Sequence, residues 1–231
     1  MFAMLVSDIR DKSQSSIEAD GYALRRSIDR QQLLEIATSL GPIKTDPRHP
    51  QQVRHIRPQR SVDAEPNTLS SRYGMEGFPF HTDAAHWHIP PKFVLLYCVE
   101  VGSGNRPTYL IDSQSLGLTN PELSLLSNAV WRSGHVKSFL CTVTSTFEKP
   151  FSIRYDSGCM SPRSGRALKA DELITAKLKG AECKQVRWQN GDLLILDNHR
   201  VLHARGSAER ADPDRVIARI LIGGSYEGVG F

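Results

Sequence analysis

The stretch "GDLLILDN", Gly191 to Asn198, decides the fold, because four apolar residues occupy consecutive positions at its centre. A strand that faces water on one side alternates apolar and polar residues, whereas a strand covered on both faces is apolar throughout. Glycine, aspartate and asparagine bound the apolar run, as they commonly bound strands. The stretch therefore predicts a strand that is buried on both faces.

Further segments extend this pattern along the chain. Three more stretches predict strands: "FVLLYCVE" (Phe93 to Glu100), "PTYLIDS" (Pro107 to Ser113) and "RVIARILIGG" (Arg215 to Gly224). Helical periodicity predicts three helices: one capped by Ser27 and closed by Gly41, one from about Asn120 with Pro121 in its first turn, and one from about Ala170 to Lys179. We predict a mainly β protein, a sandwich or barrel with flanking helices.

Length and composition are those of a globular protein. The chain has 231 residues, of which 39% are hydrophobic and 23% are charged, and we expect one domain over residues 1–231. No apolar run approaches the roughly 18 residues that a membrane span needs, so we expect no membrane partner. The four cysteines include no CxxC pair, and we see no signal-peptide pattern; we expect a cytoplasmic protein.

The stretch "FPFHTDAAHWH", Phe78 to His88, contains three of the eight histidines in the chain and an aspartate. Residues two apart on a strand project to the same face, so His81 and Asp83 are expected to point together. His86 and His88 follow the "TDAA" segment and precede two prolines. We rank them below His81 as ligands, because a turn after Asp83 would carry them away.

A third ligand is available in "LDNHRVLHAR", where His203 follows the buried strand and a short apolar step. Two histidines and one carboxylate, without cysteine, form a nitrogen and oxygen donor set suited to non-haem Fe(II). Zinc could use the same three ligands. The sequence therefore predicts a metal site at His81, Asp83 and His203, with the metal still to be decided.

Two arginines favour Fe(II) over zinc as the metal. Twelve positions separate His203 from Arg215, and the polar segment between them predicts a hairpin centred near Glu209, with His203 and Arg215 opposed on neighbouring strands. Arg219, four residues further on, shares the strand face of Arg215. Burying two guanidinium groups on an apolar strand requires anions. A dicarboxylate cosubstrate that chelates iron would supply such an anion, whereas hydrolysis at a zinc site gives no comparable reason for two buried arginines.

With these residues in order, the chain resembles the TauD/TfdA (taurine dioxygenase-like) family of Fe(II)- and 2-oxoglutarate-dependent oxygenases, in the clavaminate synthase-like superfamily. Three segments carry the resemblance: "YGMEGFPFHTDAAHWHIPPKFVLLYC", "NRPTYLIDS" and "GDLLILDNHRVLHAR…DRVIARILIGG". The HxD motif alone is weak. The HxD motif, the threonine and the histidine followed by two arginines, in this order and spacing, are together specific.

The resemblance implies a fold and a set of roles. The fold would be a double-stranded β-helix, also called a jelly roll and cupin-like, with His81, Asp83 and His203 as the Fe(II) ligands. Thr108 and Arg215 would bind the distal carboxylate of 2-oxoglutarate. Arg219 would lie beside the cosubstrate, in contact with either cosubstrate or substrate.

The reaction implied is oxidative decarboxylation of 2-oxoglutarate by O₂, giving succinate and CO₂, coupled to oxidation of a small-molecule substrate. Hydroxylation is the expected outcome, and an amino-acid derivative or another small acid is the expected substrate class. Related halogenases have a small residue in place of the metal carboxylate, so Asp83 does not favour halogenation. The chain departs from the family at His199, where arginine is frequent, and in a short stretch between Thr108 and His203.

Candidate substrate contacts lie outside these motifs. Ser70 and Tyr73, in "NTLSSRYG", precede the metal strand in a region that forms part of the substrate pocket in the resembled family. Asp156, in "SIRYDSG", is a candidate for binding a substrate ammonium group. A structural loop and a turn-forming aspartate are the alternatives. We also expect part of the irregular segment from Cys141 to Arg166 near the mouth of the site.

Two other functions stay open. One is an Fe(II)- and 2-oxoglutarate-dependent enzyme that demethylates nucleic acid, suggested by the basic segment "RHPQQVRHIRPQR", Arg48 to Arg60. That segment lacks interleaved aromatic residues for base stacking, so we do not expect a nucleic-acid partner. The other is a non-catalytic jelly-roll binding protein that keeps the ligands for structure. The sequence leaves the oligomeric state and the identity of the substrate open.

Overall fold

The computed structural model of the protein describes residues 13–46, 48–135, 137–146 and 150–224. The strands are β1 (Tyr22–Arg25), β2 (Ile43–Lys44), β3 (Arg54–Ile56), β4 (Phe78–His81), β5 (Phe93–Glu100), β6 (Thr108–Asp112), β7 (Trp131–Ser133), β8 (Phe139–Cys141), β9 (Met160–Pro162), β10 (Lys184–Val186), β11 (Leu193–Asp197), β12 (Val201–Arg205) and β13 (Val216–Ile222). The helices are α1 (13–20), α2 (Arg30–Leu40), α3 (Leu69–Tyr73), α4 (Asn120–Asn128) and α5 (Gly165–Gly180), and short 3₁₀ turns lie at Ser61–Asp63 and Ser113–Ser115.

The strands pair antiparallel and form three sheets in the described part of the chain. The major sheet has the order β1-β11-β5-β13-β2, and β3 also pairs with β13. The minor sheet has the order β10-β6-β12-β4, and a three-stranded sheet has the order β8-β7-β9. The mainly β prediction is confirmed.

The predicted burial on both faces follows from how the layers pack. In β11, Leu194 and Leu196 point between the major and minor sheets, whereas Leu193 and Ile195 pack on the other side against α2. The four leucine and isoleucine side chains are completely buried. Consecutive apolar residues are needed here because a helix covers one face of the strand and the second sheet covers the other.

The outer face of the minor sheet is covered as well. Ile111 of β6 and Leu202 of β12 pack against Leu123 and Leu126 of α4 and Ile174 of α5. The minor sheet is therefore held between two apolar layers.

Two helix boundaries differ from the prediction. The cap of α2 is Asp29, not Ser27: the Asp29 carboxylate accepts from the Gln32 N–H at 2.8 Å, and the Gln32 side chain accepts from the Asp29 N–H at 2.9 Å. This reciprocal pair satisfies two otherwise unpaired N–H groups, which a cap at Ser27 would not do. Likewise α5 begins at Gly165, earlier than Ala170, because Ser164 caps it.

The other predicted boundaries agree with the structure. Helix α4 begins at Asn120, and α2 ends at Gly41. No helix within the described ranges combines the length and the apolar character needed to cross a membrane.

The predicted hairpin between His203 and Arg215 is wrong. Strand β12, which carries His203, pairs with β4 and β6, whereas β13, which follows Arg215, pairs with β5, β2 and β3. The connection therefore crosses from one sheet to the other. A buried ion pair between Arg106 and Asp212, 2.9 Å apart with side chains 1% and 0% exposed, fixes this crossing over the start of β6.

Candidate metal centre

Two histidines lie opposite each other at one end of the minor sheet. His203 on β12 is the direct cross-strand partner of His81 at the end of β4, and Asp83 follows two residues later. Each of the three offers a ligand atom, and these atoms all lie within 4.8 Å of one another. The three residues are 5 to 7% exposed. Within the described ranges, this is the one group of its kind that can hold a metal ion.

Both imidazoles are prepared to act as neutral ligands. His81 Nδ1 lies 3.0 Å from the Pro79 carbonyl oxygen, and because a carbonyl only accepts, Nδ1 carries a proton; Nε2 is then the nitrogen of the neutral ring that has a lone pair for a metal. His203 Nε2 faces Asp83 Oδ2 at 3.9 Å. Burial, aided by the neighbouring His81, lowers the pKa of His203 to about 3. A neutral imidazole is the form that binds a metal.

The carboxylate of Asp83 is ionised and held at one oxygen. Burial raises its pKa, but the nearby positive charge of Arg219 opposes that effect most strongly, and the pKa is lowered. Asp83 Oδ1 accepts a hydrogen bond from Arg219 Nη1 at 2.7 Å. This contact leaves Oδ2 on the side of His203, where a metal would lie.

Asn198, which the sequence reasoning missed, holds the backbone of Asp83. Its Oδ1 accepts from the Asp83 N–H at 2.7 Å, and its Nδ2 donates to the Asp83 carbonyl at 3.0 Å and to the Pro91 carbonyl at 3.0 Å. The residue is 1% exposed. Its position directly after a buried strand, in "LDNH", was the available signal.

A second part of the same cavity is prepared for an anion. Arg215 is 6% exposed, its Nε is buried without a hydrogen-bond partner, and it forms no ion pair with any carboxylate that the structure describes. Burial lowers its pKa. Thr108, also 6% exposed, accepts a hydrogen bond at its hydroxyl oxygen from Trp188 Nε1 at 3.0 Å. Sequence reasoning did not identify Trp188.

The cavity has a volume of about 340 Å³. Six predicted residues line it together: His81, Asp83, Thr108, His203, Arg215 and Arg219. Ser70 also lines it, but Tyr73 is not among the lining residues and instead packs near Phe78, with ring centroids 6.3 Å apart. Helix α3 ends at Tyr73 and thereby directs it to the neighbouring strand.

Asp156 lines the cavity and also forms a turn. Its Oδ1 accepts from the Gly158 N–H at 2.7 Å, and its Oδ2 accepts from the Cys159 thiol at 3.3 Å. The segment from Cys141 to Arg166 thus contributes Asp156, Gly158 and Cys159 to the wall of the cavity.

The two other histidines of the stretch from Phe78 to His88 lie in different surroundings. His86 lines the cavity outside the group of three ligands, whereas His88 stacks on Phe139, with ring centroids 4.2 Å apart. The short turn at residues 84–87 causes this separation, because the Trp87 N–H bonds back to the Ala84 carbonyl.

The basic segment from Arg48 to Arg60 forms one wall of this cavity. Arg48, Arg54 and Arg57 all line it. Arg48 pairs with Asp46 at 3.1 Å, and Arg54 pairs with Glu65 at 3.2 Å. Three arginines of this segment therefore face the cavity that holds the three candidate ligands.

Comparison with known proteins places the chain in a family. The model of the "Taurine catabolism dioxygenase TauD, TfdA family" matches residues 5–115 and 141–221, which is most of the chain and includes all six predicted residues. The unmatched residues between these ranges include α4 and β7. No curated protein matches the chain significantly in sequence.

Several solved structures share the fold at low sequence identity. The non-heme iron oxygenase OrfP, in complex with Fe and α-ketoglutaric acid, aligns with a TM-score of 0.78 at 16% identity over 95% of this chain and 80% of that one. Asparagine oxygenase, in complex with Fe(II), 3-hydroxyasparagine and succinate, has a TM-score of 0.76 at 16% identity, over 94% and 79%. PvcB, an Fe, α-ketoglutarate dependent oxygenase from an isonitrile synthetic pathway, has 0.66 at 19%, over 92% and 79%.

These likenesses confirm the double-stranded β-helix that the family resemblance implied. The family match covers well over half of the residues and carries the identification. The chain belongs to the TauD/TfdA family and is an Fe(II)- and 2-oxoglutarate-dependent dioxygenase.

Proposed function

We propose that His81, Asp83 and His203 hold the Fe(II) ion and that the enzyme hydroxylates a small-molecule substrate beside it. The observation that carries this proposal is one cavity in which three buried ligand atoms lie within 4.8 Å of one another and which Arg215 also lines, a buried cation without a carboxylate partner in the described chain. Two imidazole nitrogens and one carboxylate oxygen, leaving further coordination positions open, suit non-haem Fe(II).

Arg215 and Thr108 are the proposed partners of the distal carboxylate of 2-oxoglutarate. A guanidinium presents a planar fork of donors that matches a carboxylate, and burial makes an anionic partner necessary. The Thr108 oxygen already accepts from Trp188, so its own proton is directed elsewhere and can be donated to the carboxylate. Both residues would orient the cosubstrate from the end remote from the metal.

When bound, Fe(II) and 2-oxoglutarate supply the oxidising chemistry through decarboxylation to succinate with O₂. The protein's part is to hold the ligands neutral or ionised as required, to exclude water and to position the substrate. The near-complete burial of the three ligands serves the exclusion of water. Asp83 occupies the position that the related halogenases leave to a halide, so hydroxylation is the proposed outcome.

An amino acid or an amino-acid derivative is the proposed substrate class. Asparagine oxygenase and OrfP, whose folds are similar, are described in complexes with hydroxyasparagine and hydroxyarginine. The cavity carries both signs of charge, with Asp156, Ser70 and Arg219 as proposed substrate contacts. Each Asp156 oxygen retains acceptor capacity beyond its turn hydrogen bond and can accept from a substrate ammonium.

We further propose that residues 1–231 act as one catalytic domain, since both sheets contribute residues to the cavity. The cytoplasm is the proposed compartment. The four cysteines are all free thiols, a state typical of reducing compartments.

The test is anaerobic addition of Fe(II) and 2-oxoglutarate, followed by oxygen and a panel of L-amino acids. We expect a weak visible charge-transfer band before oxygen is added, and succinate formation that one or a few panel members stimulate. The His203→Ala variant should show neither. A wild-type protein that gives no band and no succinate would support a non-catalytic binding protein instead.

A further inference from the structure

Two arginines face each other across neighbouring strands on the cavity wall. Arg54 of β3 is the direct cross-strand partner of Arg219 of β13, in antiparallel register. Directly opposed residues of an antiparallel pair project to the same face, and both side chains line the cavity. Like charges in this position destabilise a sheet. An arrangement that costs stability calls for an anion between the two groups.

The present partners of the two guanidinium groups do not meet that requirement. Arg219 bonds to Asp83 Oδ1, a carboxylate whose charge a bound metal ion would share. Arg54 is 3.2 Å from Glu65, whose side chain is 47% exposed and also contacts His49 at 2.8 Å. Exposed ion pairs of this kind contribute little. Arg219 Nε is buried and has no hydrogen-bond partner among the described residues.

The other arginines of the basic segment are placed differently. Arg48 is held by both oxygens of Asp46, through its Nε at 3.3 Å and its Nη2 at 3.1 Å. Arg57 is exposed, and Arg60 pairs with Asp63 and does not line the cavity. Arg54 is therefore the member of the segment that shares a wall with Arg219 at the level of the metal ligands.

We propose that Arg54 and Arg219 form a two-arginine site for a carboxylate group of the substrate, with Arg54 as a specificity-determining residue. This proposal rests on the proposed function and adds where the carboxylate of the proposed substrate binds, and that Arg54 takes part. Two guanidinium forks bracket a planar carboxylate by charge-assisted hydrogen bonds. The mutual repulsion of the two cations is relieved when the carboxylate binds, so substrate binding stabilises β3 against β13.

The first experiment uses the holoenzyme with Fe(II) and saturating 2-oxoglutarate under anaerobic conditions, so that the Arg215 site is already filled. Sodium acetate replaces sodium chloride at constant ionic strength, and the thermal midpoint and the visible band are followed. We expect acetate to stabilise the wild type, and its apparent affinity to fall about tenfold or more in Arg54→Gln. Arg60→Gln, in the same segment but outside the cavity, should respond like the wild type.

Folding is checked separately. Without acetate, Arg54→Gln should have a thermal midpoint equal to or above that of the wild type, because one of two opposed like charges is removed. Arg54→Lys keeps the charge but loses the planar fork of donors. Its apparent affinity for acetate should lie between those of the wild type and the glutamine variant.

The second experiment compares substrate forms. Succinate formation stimulated by L-amino acids is compared with that of their carboxamides, in which the carboxylate is neutralised. We expect the amides to stimulate far less in the wild type, and the preference for the acid to shrink in Arg54→Gln.

The outcomes separate this proposal from the function beneath it. If the charge-transfer band is absent before any acetate is added, both the proposed function and the two-arginine site are contradicted. A normal band with an equal acetate response in the wild type and Arg54→Gln, or with none in either, overturns the two-arginine site alone. A stronger response to methanesulfonate than to acetate overturns the assignment to a carboxylate.

Discussion

Asn198 and Asp83 are joined by two hydrogen bonds: the Asn198 Oδ1 accepts from the Asp83 N–H at 2.7 Å, and its Nδ2 donates to the Asp83 carbonyl at 3.0 Å. The same Nδ2 reaches the Pro91 carbonyl. One buried side-chain amide therefore joins the end of β11 to the segment that follows β4. Its position fixes where the Asp83 carboxylate points.

Replacing Asn198 with alanine should weaken metal binding more than it weakens the fold. Partners that orient metal ligands typically contribute 10–100-fold in affinity, so we expect a loss of about that size in an anaerobic Fe(II) or Co(II) titration. The unpaired backbone groups should lower the free energy of unfolding by about 1–3 kcal/mol. Asn128→Ala, at the exposed end of α4, is the control. Unchanged metal affinity in Asn198→Ala would exclude this positioning role.

Replacing different histidines should have different effects on the charge-transfer band. We expect His81→Ala and His203→Ala to abolish the charge-transfer band, because each removes one of three proposed ligands. His88→Ala should retain the band and lose only some stability, since its ring stacks on Phe139. Metal content and visible absorption of the three variants provide the measurement. Loss of the band in His88→Ala, with the fold intact by circular dichroism, would contradict the ligand assignment.

We expect the Arg215→Gln variant to bind 2-oxoglutarate more weakly than the wild type and to be more stable in the absence of 2-oxoglutarate. A buried cation without an anion destabilises the ligand-free protein, so we expect the glutamine variant to gain about 1 kcal/mol in the absence of 2-oxoglutarate. Its affinity for 2-oxoglutarate should fall by about 10–100-fold, since charge-assisted hydrogen bonds are lost. Thermal unfolding with and without 2-oxoglutarate measures both effects.

The matched control for that experiment is Arg210→Gln. Arg210 lies on the same connection between β12 and β13, is exposed, and donates to the Ser103 carbonyl at 2.6 Å. It should show wild-type stabilisation by 2-oxoglutarate. An Arg215→Gln variant that is stabilised by 2-oxoglutarate as strongly as this control would refute the proposed role of Arg215.

The four thiols should differ sharply in reactivity. Burial raises the pKa of Cys98 to about 11 and also raises the pKa values of Cys141 and Cys159, whereas Cys183 is exposed. A raised pKa means less thiolate at a given pH, and the thiolate is the reactive form. At pH 8 a thiol reagent should therefore modify one cysteine rapidly in the native protein, and Cys183→Ser should remove that phase. Two or more fast thiols would contradict the raised pKa values of the other three.

The sequence by itself determined the strand pattern and the identity of the chemical groups. Consecutive apolar residues in β11 and β5 indicate strands covered on both faces, and the HxD spacing identified His81 and Asp83 as a pair, although β4 ends at His81 and Asp83 lies beyond the strand. These are local properties, set by the geometry of a few successive residues. The caps of α2 and α5 were not predicted. Asp29 and Ser164 each accept a hydrogen bond from the N–H three residues on, a contact that the apolar periodicity used to place the helices does not reveal.

Only the tertiary structure decided which strands become neighbours. The spacing of His203 and Arg215 is compatible with a hairpin, yet each strand pairs with others, and the buried Arg106–Asp212 ion pair holds the connection across the sheets. The hydrogen bonds of Asn198 to Asp83 and the opposition of Arg54 and Arg219 also join residues more than a hundred positions apart. Such contacts depend on the packing of whole sheets, which local patterns do not encode.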